Sequence, residues 1–259
     1  MNIKELLRKI DEIVPFSLSE SWDNNGLIVG ENEMPVSKIC LTLDATPEVV
    51  DKAEEMKCNV VISHHPLIFD PIKNLDTSTL TGATIKRAIK KDIAVISLHT
   101  SWDKSGLNNA LAFALRLNNI RTLQPKKKEE DRIGIIGELL QKENINDLLM
   151  IIKNAWNLSH VISHEPKYKK DISTVALCGG AGGEFWLDAL YENADVYITA
   201  EVKRFQHLAA TFKGLYIVET DHYEMESFAL TSLRKLLYET TKIDIDIFNP
   251  YINIRVLSD

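Results

Sequence analysis

The stretch VVISHHPLIFD (Val60–Asp70) holds the key to both the architecture and the chemistry. Val60, Val61 and Ile62 form an unbroken apolar run, the mark of a short strand covered on both faces rather than half-exposed. Ser63, His64, His65 and Pro66 end that strand abruptly. Two adjacent imidazoles at a strand exit, followed by a proline, suggest two nitrogen ligands directed into one cavity.

Working outward, the same pattern recurs. KICLTLDAT (38–46) reads as a buried strand, and TPEVVDKAEEMK as a helix with Pro47 in its first turn and acids early. TGATIKRAIKKD reads as a helix and IAVISLH (93–99) as a third strand; its exit, TSWDKSGLNNALAFALRL, reads as a loop turning into a helix. Residues 67–80 read as loop. Strands alternating with helices imply βαβ units and a mostly parallel sheet. After the polar stretch TLQPKKKEED (122–131) a second series begins, and TVALCGG–helix–DVYITAE–helix–LYIVETDHYE parallels the first. The expected class is therefore α/β: two similar lobes with mostly parallel sheets flanked by helices. Residues 1–126 with about 222–259 form the first lobe and 127–221 the second, with a metal site between them. VISHHP (61–66) and VISHEP (161–166) look alike but fall out of register with this duplication, so the match is read as chance.

In open parallel α/β sheets, ligands gather at the carboxyl ends of strands. Three such ends here carry metal-ligating types: His64 and His65; His99 with Asp103; and Asp221, His222 and Glu226. His222 and Glu226 are four apart and share a face if a helix starts near Asp221. Singly, each histidine reads as a hydrogen-bonded polar residue, and Glu226 as a solvated helix residue. Together they read as a sulfur-free donor set suited to zinc, manganese, iron, cobalt or nickel. The set exceeds what one tetrahedral zinc takes, and two cations roughly 3.5–4 Å apart would use it.

Composition narrows the alternatives. The chain has 259 residues, 45% hydrophobic and 26% charged, with a net charge of −7, which disfavours non-specific nucleic-acid binding. Lys126–Lys128 form a basic run followed at once by Glu129, Glu130 and Asp131, as in a solvated linker. Cys40, Cys58 and Cys178 are far apart with no CxxC, which fits a reducing cytoplasm and argues against a thiolate zinc site or a redox dithiol. The N-terminal MNIKELLRKIDEIVPF has helical apolar spacing and no signal-peptide apolar run, and nothing approaches transmembrane length.

The segments WDNNGLIVG (22–30), LTLDAT (41–46), ISHHPLIF (62–69), LHTSWDKSGLNNALA (98–112), VALCGGAGG (175–183), ITAEVKRFQH (198–207) and ETDHYEMES (219–227) resemble, in order, the Nif-three-like dinuclear metal proteins, named as GTP cyclohydrolase 1 type 2 homologues. The resemblance covers almost the whole chain. It implies the Nif-three-like fold in its short form and two divalent ions per chain. His65 and Asp103 would hold one ion, His64 and His222 the other, and Glu226 would bridge them. It places His99 beside the ions and His207 near a family position, giving two candidate proton carriers. It further implies a homohexamer, an anionic small-molecule substrate, and hydrolysis of GTP or a related nucleotide by metal-activated water. Thr199-Ala200-Glu201 replaces the family's Thr-Gly-Asp/Glu. The competing reading is a non-catalytic metal-binding, assembly or scaffold protein. CGGAGGEF (178–185) is either an anion-receiving turn or a tight structural one; it is no P-loop, as no Gly-Lys-Ser/Thr follows. Lys203 and Arg204 read as solvated helix charge, or as contacts for an anionic substrate.

Overall fold

A computed structural model describes residues 1–124, 126–128, 132–168 and 170–250. The chain divides into two compact units. The first comprises Met1–Ile10, Asp23–His99 and the chain from Leu237; the second comprises Asp11–Trp22 and Thr100–Leu236.

The first unit is built on a five-stranded sheet of β1 (Gly26–Val29), β2 (Ile39–Thr42), β3 (Val60–Ser63), β4 (Ala94–Ser97) and β11 (Ile245–Ile247), ordered β1-β4-β3-β2-β11. All neighbours are parallel except β1 against β4. Every residue of β2, β3 and β4 is buried, as their unbroken apolar runs require. The helices are α1 (Ile3–Asp11), α2 (Pro47–Glu55) and α3 (Leu80–Lys90). Thr46 caps α2 by accepting the Val49 amide, and Thr79 caps α3 by accepting that of Gly82. Val49, Val50 and Ala53 of α2, and Ile85 and Ala88 of α3, pack with Cys40, Val61 and Val95 of the sheet into one core.

The second unit holds a six-stranded sheet of β5 (Asn118–Thr122), β6 (Ile135–Glu143), β7 (Val161–His164), β8 (Ile172–Leu177), β9 (Val196–Thr199) and β10 (Tyr216–Thr220), ordered β5-β6-β8-β9-β10-β7. Its helices are α4 (Thr100–Trp102), α5 (Asn108–Ala114), α6 (Ile145–Ala155), α7 (Trp186–Tyr191), α8 (Arg204–Phe212) and the start of α9 (His222–Thr241). Here the expectation of a mostly parallel sheet needs correction. Only the trio β8-β9-β10 is parallel, and β5, β6 and β7 pair antiparallel. The duplicated rhythm of the sequence corresponds to the two parallel trios, β2-β3-β4 and β8-β9-β10; the strands around each trio differ. Strands β1, β5 and β11 escaped the sequence reading because they are short, polar or partly exposed, so their periodic signal is weak.

A second correction concerns the exit of β4, TSWDKSGLNNALAFALRL, expected as a loop turning into a helix. Helix begins at once after β4 as α4, passes through a π-helical turn at Asp103–Leu107, and continues as α5. Gly106 makes this possible: a Cβ there would lie 1.8 Å from an atom of the Trp102 ring, which is buried against it. Cys40, Cys58 and Cys178 are buried free thiols; burial pushes Cys40 up to about 12 and Cys58 to about 11. No helix among the described residues is long and apolar enough to cross a membrane.

Candidate metal centre

In the first unit the parallel register continues past the strand ends. The amides of His64 and His65 donate to the carbonyls of Thr42 and Leu43, and that of Leu98 to Ser63. The Ser63 hydroxyl then donates to the His65 carbonyl at 2.8 Å, turning the chain as it leaves β3. The rings of His64 and His65 lie 4.8 Å apart between centroids, and His99, leaving β4, stands 5.4 and 5.7 Å from them. One ligating atom from each of the three comes within 4.8 Å of the others.

Each ring is oriented through Nδ1. His64 Nδ1 donates to the Leu98 carbonyl at 3.2 Å, His65 Nδ1 to Asp44 Oδ1 at 2.9 Å, and His99 Nδ1 to Asp23 Oδ1 at 2.9 Å. In a neutral ring protonated at Nδ1, the lone pair sits on Nε2. This is the arrangement in which metal-binding imidazoles are held by a carboxylate or carbonyl behind them. The Asp23 side chain is 0% exposed and also accepts from Asn25, whose own Oδ1 accepts the His99 amide at 2.6 Å.

In the second unit β8, β9 and β10 deliver their own group at the matching strand ends. His222 opens α9, and Glu226 sits one turn on, only 2% exposed. The solvated-helix reading of Glu226 is thereby overturned. His222 Nε2 contacts Glu226 Oε1 at 2.9 Å, and Nδ1 contacts Glu201 Oε1, at the end of β9, at 2.6 Å. Burial pulls the His222 imidazole down, but the hydrogen bonds and charges of Glu226 and Glu201 outweigh it and push it up to about 9. The turn after β8 lies against this pair. Gly180 has φ +68°, and a Cβ there would stand 2.6 Å from Glu226 Oε1 and 3.4 Å from His222 Nε2. The glycines therefore make a tight structural turn. The Gly179 amide donates to Asn108 Oδ1 and the Gly182 amide to Thr199 Oγ1, so these donors serve the fold rather than a phosphate.

Asp103 opens the π-turn of the second unit. Its carbonyl accepts from Asn108 Nδ2 at 2.8 Å, so Asn108 ties this turn to the glycine turn. A cavity of about 330 Å³ borders Asp103, with Lys104, Arg121 and Arg132 among its walls. Lys104 pairs with Glu20, and Arg121 with Glu192.

His207, on α8, lies in another group. Its ring stacks on His164 of β7 at 3.6 Å, and Glu219 Oε2 of β10 contacts His207 Nε2 at 3.0 Å and His164 Nε2 at 3.6 Å. Burial and the neighbouring His207 hold His164 below its ordinary value. Lys203 and Arg204 are exposed, as the solvated-charge reading expects. Within the described residues the structure thus gathers His64, His65 and His99 in one unit, and His222 with Glu226 in the other. Sequence reasoning passed over the residues that orient them: Asp23, Asn25, Asp44 and Asn108, with Glu201 noted only as a departure from a motif. Asp23 and Asp44 lie inside WDNNG and LTLDAT, and an acid at a strand exit or turn beside the histidine segments was the available signal.

The donor chemistry fits divalent metal. The three imidazoles of the first unit, and His222 with Glu226 in the second, are borderline-to-hard ligands, several already oriented from behind, and the absent Gly180 side chain keeps Glu226 and His222 clear of backbone substituents.

Comparison with known proteins gives a consistent assignment. The family model Duf34/NIF3 (NGG1p interacting factor 3) matches residues 1–252. The "GTP cyclohydrolase 1 type 2 homolog" of Clostridium perfringens is 32% identical over 252 residues, covering 95% of each chain. The crystal structure of Staphylococcus aureus hypothetical protein SA1388 superposes with a TM-score of 0.84 at 29% identity, covering 100% of this chain and 99% of that one. A Bacillus cereus protein related to NIF3 gives a TM-score of 0.87 at 22% identity over 100% and 99%, which bears on the fold alone.

Proposed function

The chain belongs to the Duf34/NIF3 family, and on that premise we propose that it is a dinuclear metal-dependent hydrolase acting on a nucleotide-like ring, such as that of GTP. The observation that carries this reading is the trio His64, His65 and His99, each held at Nδ1 by an oxygen acceptor so that Nε2 bears the lone pair. His64, His65, Asp103, His222 and Glu226 would hold the two divalent ions, as the family resemblance assigns them. When bound, the ions supply Lewis acidity and lower the pKa of water. Asp44 orients His65, and Glu201 orients His222. His99, anchored by buried Asp23, accepts a proton at Nε2 and passes it on; His207, paired with Glu219, is the second candidate proton carrier. The relatives' printed name supports a cyclohydrolase-type substrate. We further propose a cytoplasmic homohexamer, the assembly implied by the resemblance.

Metal analysis of the protein as purified tests the core of this reading. Two ions per chain are expected, with Glu226→Ala and His64→Ala each retaining fewer, and manganese- or zinc-loaded protein should turn over a member of a nucleotide panel. Turnover that survives Glu226→Ala would reject the mechanism. Two ions with no turnover across the panel would favour the binding or scaffold role.

A further inference from the structure

We propose that the cavity beside His65 binds a flat heteroaromatic ring with an N–H donor edge and no phosphate, an aminopurine nucleoside being the type. This narrows the substrate of the hydrolase reading and rests on that reading for the reaction, though not for binding. The cavity measures about 900 Å³ and is formed entirely by the first unit, a size that accommodates a nucleoside-sized ligand. His65 lines it, so a ring bound there lies next to the histidine trio. Phe69 also lines it, is 56% exposed, and has its ring 6.2 Å from that of His99. An exposed aromatic face in a wall otherwise carrying Pro66, Leu67 and Ile72 suits offset stacking with a flat ring.

The charges decide what that ring can carry. Asp44, Glu48 and Asp70 line the cavity, and no lysine or arginine does so among the described residues. Carboxylates accept hydrogen bonds and donate none, so they match amino and ring N–H groups. Within the wall itself these three charges, focused by low-dielectric surroundings, oppose a polyphosphate, and only the ions that His65 would hold would attract one. The one feature that would normally favour an anion is the N-terminus of α2, which opens on this cavity. Most of its capacity is already taken. Thr46 Oγ1 holds the Val49 amide at 3.2 Å, Pro47 has no amide proton, and Glu48 places an acid in the first turn.

Equilibrium binding of guanosine, unsubstituted purine riboside and GTP to the full-length protein tests the proposal, at fixed near-physiological salt, with metal content measured on the same samples. Guanosine should bind at least tenfold more tightly than GTP and than purine riboside. Phe69→Ala, at an exposed position, should weaken guanosine binding about tenfold with metal content unchanged. The double change Glu48→Gln with Asp70→Asn should narrow the gap between guanosine and GTP at least threefold. GTP binding as tightly as guanosine, as the basic cavity beside Asp103 would favour, overturns the proposal; so does guanosine binding indifferent to Phe69→Ala. Guanosine selectivity in protein lacking two ions would sink the metal reading and leave this one standing. Two ions with no nucleoside preference would do the reverse.

Discussion

Gly180 sits at φ +68°, a conformation that costs an L side chain about 1–2 kcal/mol. Its missing Cβ is also what lets Glu226 Oε1 approach the turn. Gly180→Ala should therefore destabilise the protein by about that amount in urea titration and lower the retained metal. Unchanged metal content would show that Glu226 can move aside. The histidines teach a related lesson. His64 and His65 stood out as a pair, but what makes them useful is the acceptor behind each ring, a backbone carbonyl for one and Asp44 for the other. His99 stood out at a strand exit, and the residue that holds it, Asp23, is 76 positions away. His207 carried a weak signal and lies with His164 and Glu219, a grouping that spacing along the chain could not reveal.

Among the elements, the parallel trios were the most legible, because strands covered on both faces need unbroken apolar runs. Their alignment depends on side chains that no periodicity encodes. Asp195, just before β9, accepts the amides of Ser173 and Thr174 at 2.9 and 3.0 Å and pairs with Lys170 at 2.6 Å, tying β8 to β9. Burial pushes its carboxyl up, but Lys170 and the two amides prevail and hold it below the ordinary value. A carboxylate depressed in the folded state stabilises above its unfolded pKa and loses that contribution as pH falls through the folded one. Asp195→Asn should thus cost about 1.5–3 kcal/mol at pH 7. The difference from wild type should be smaller at about pH 3 than at pH 7, as the depressed carboxyl begins to take up its proton. Urea midpoints at both pH values check this, and a gap that persists undiminished in acid would place the effect in packing instead. The π-turn at Asp103–Leu107 was hidden for a different reason. A stretch rich in Ser, Gly and Asn reads as loop, and only the seating of Trp102 against Gly106 makes it helical.

Across the whole molecule, the first unit draws its edge strand from the far end of the chain. β11 pairs with β2, and Asn249 accepts the Leu43 amide at 2.9 Å from 206 positions away. A chain ending at Lys242 should lose that strand, bare the edge of β2, and unfold at least about 5 °C lower in calorimetry, with aggregation as the visible consequence. An unchanged midpoint would mean that β11 is dispensable. The sequence alone determined the α/β class, the two repeated parallel trios, and the gathering of histidines and acids at the strand exits. These are properties of local period and of residue type at an element's end, which short-range sterics and burial impose on any chain with this pattern. Only the tertiary structure decided which acids stand behind which imidazoles, which strands turn antiparallel around each trio, and that the glycine turn makes room for a carboxylate instead of receiving a phosphate. Those choices rest on contacts between residues tens to hundreds of positions apart, where the path of the folded chain, not its local rhythm, sets who meets whom.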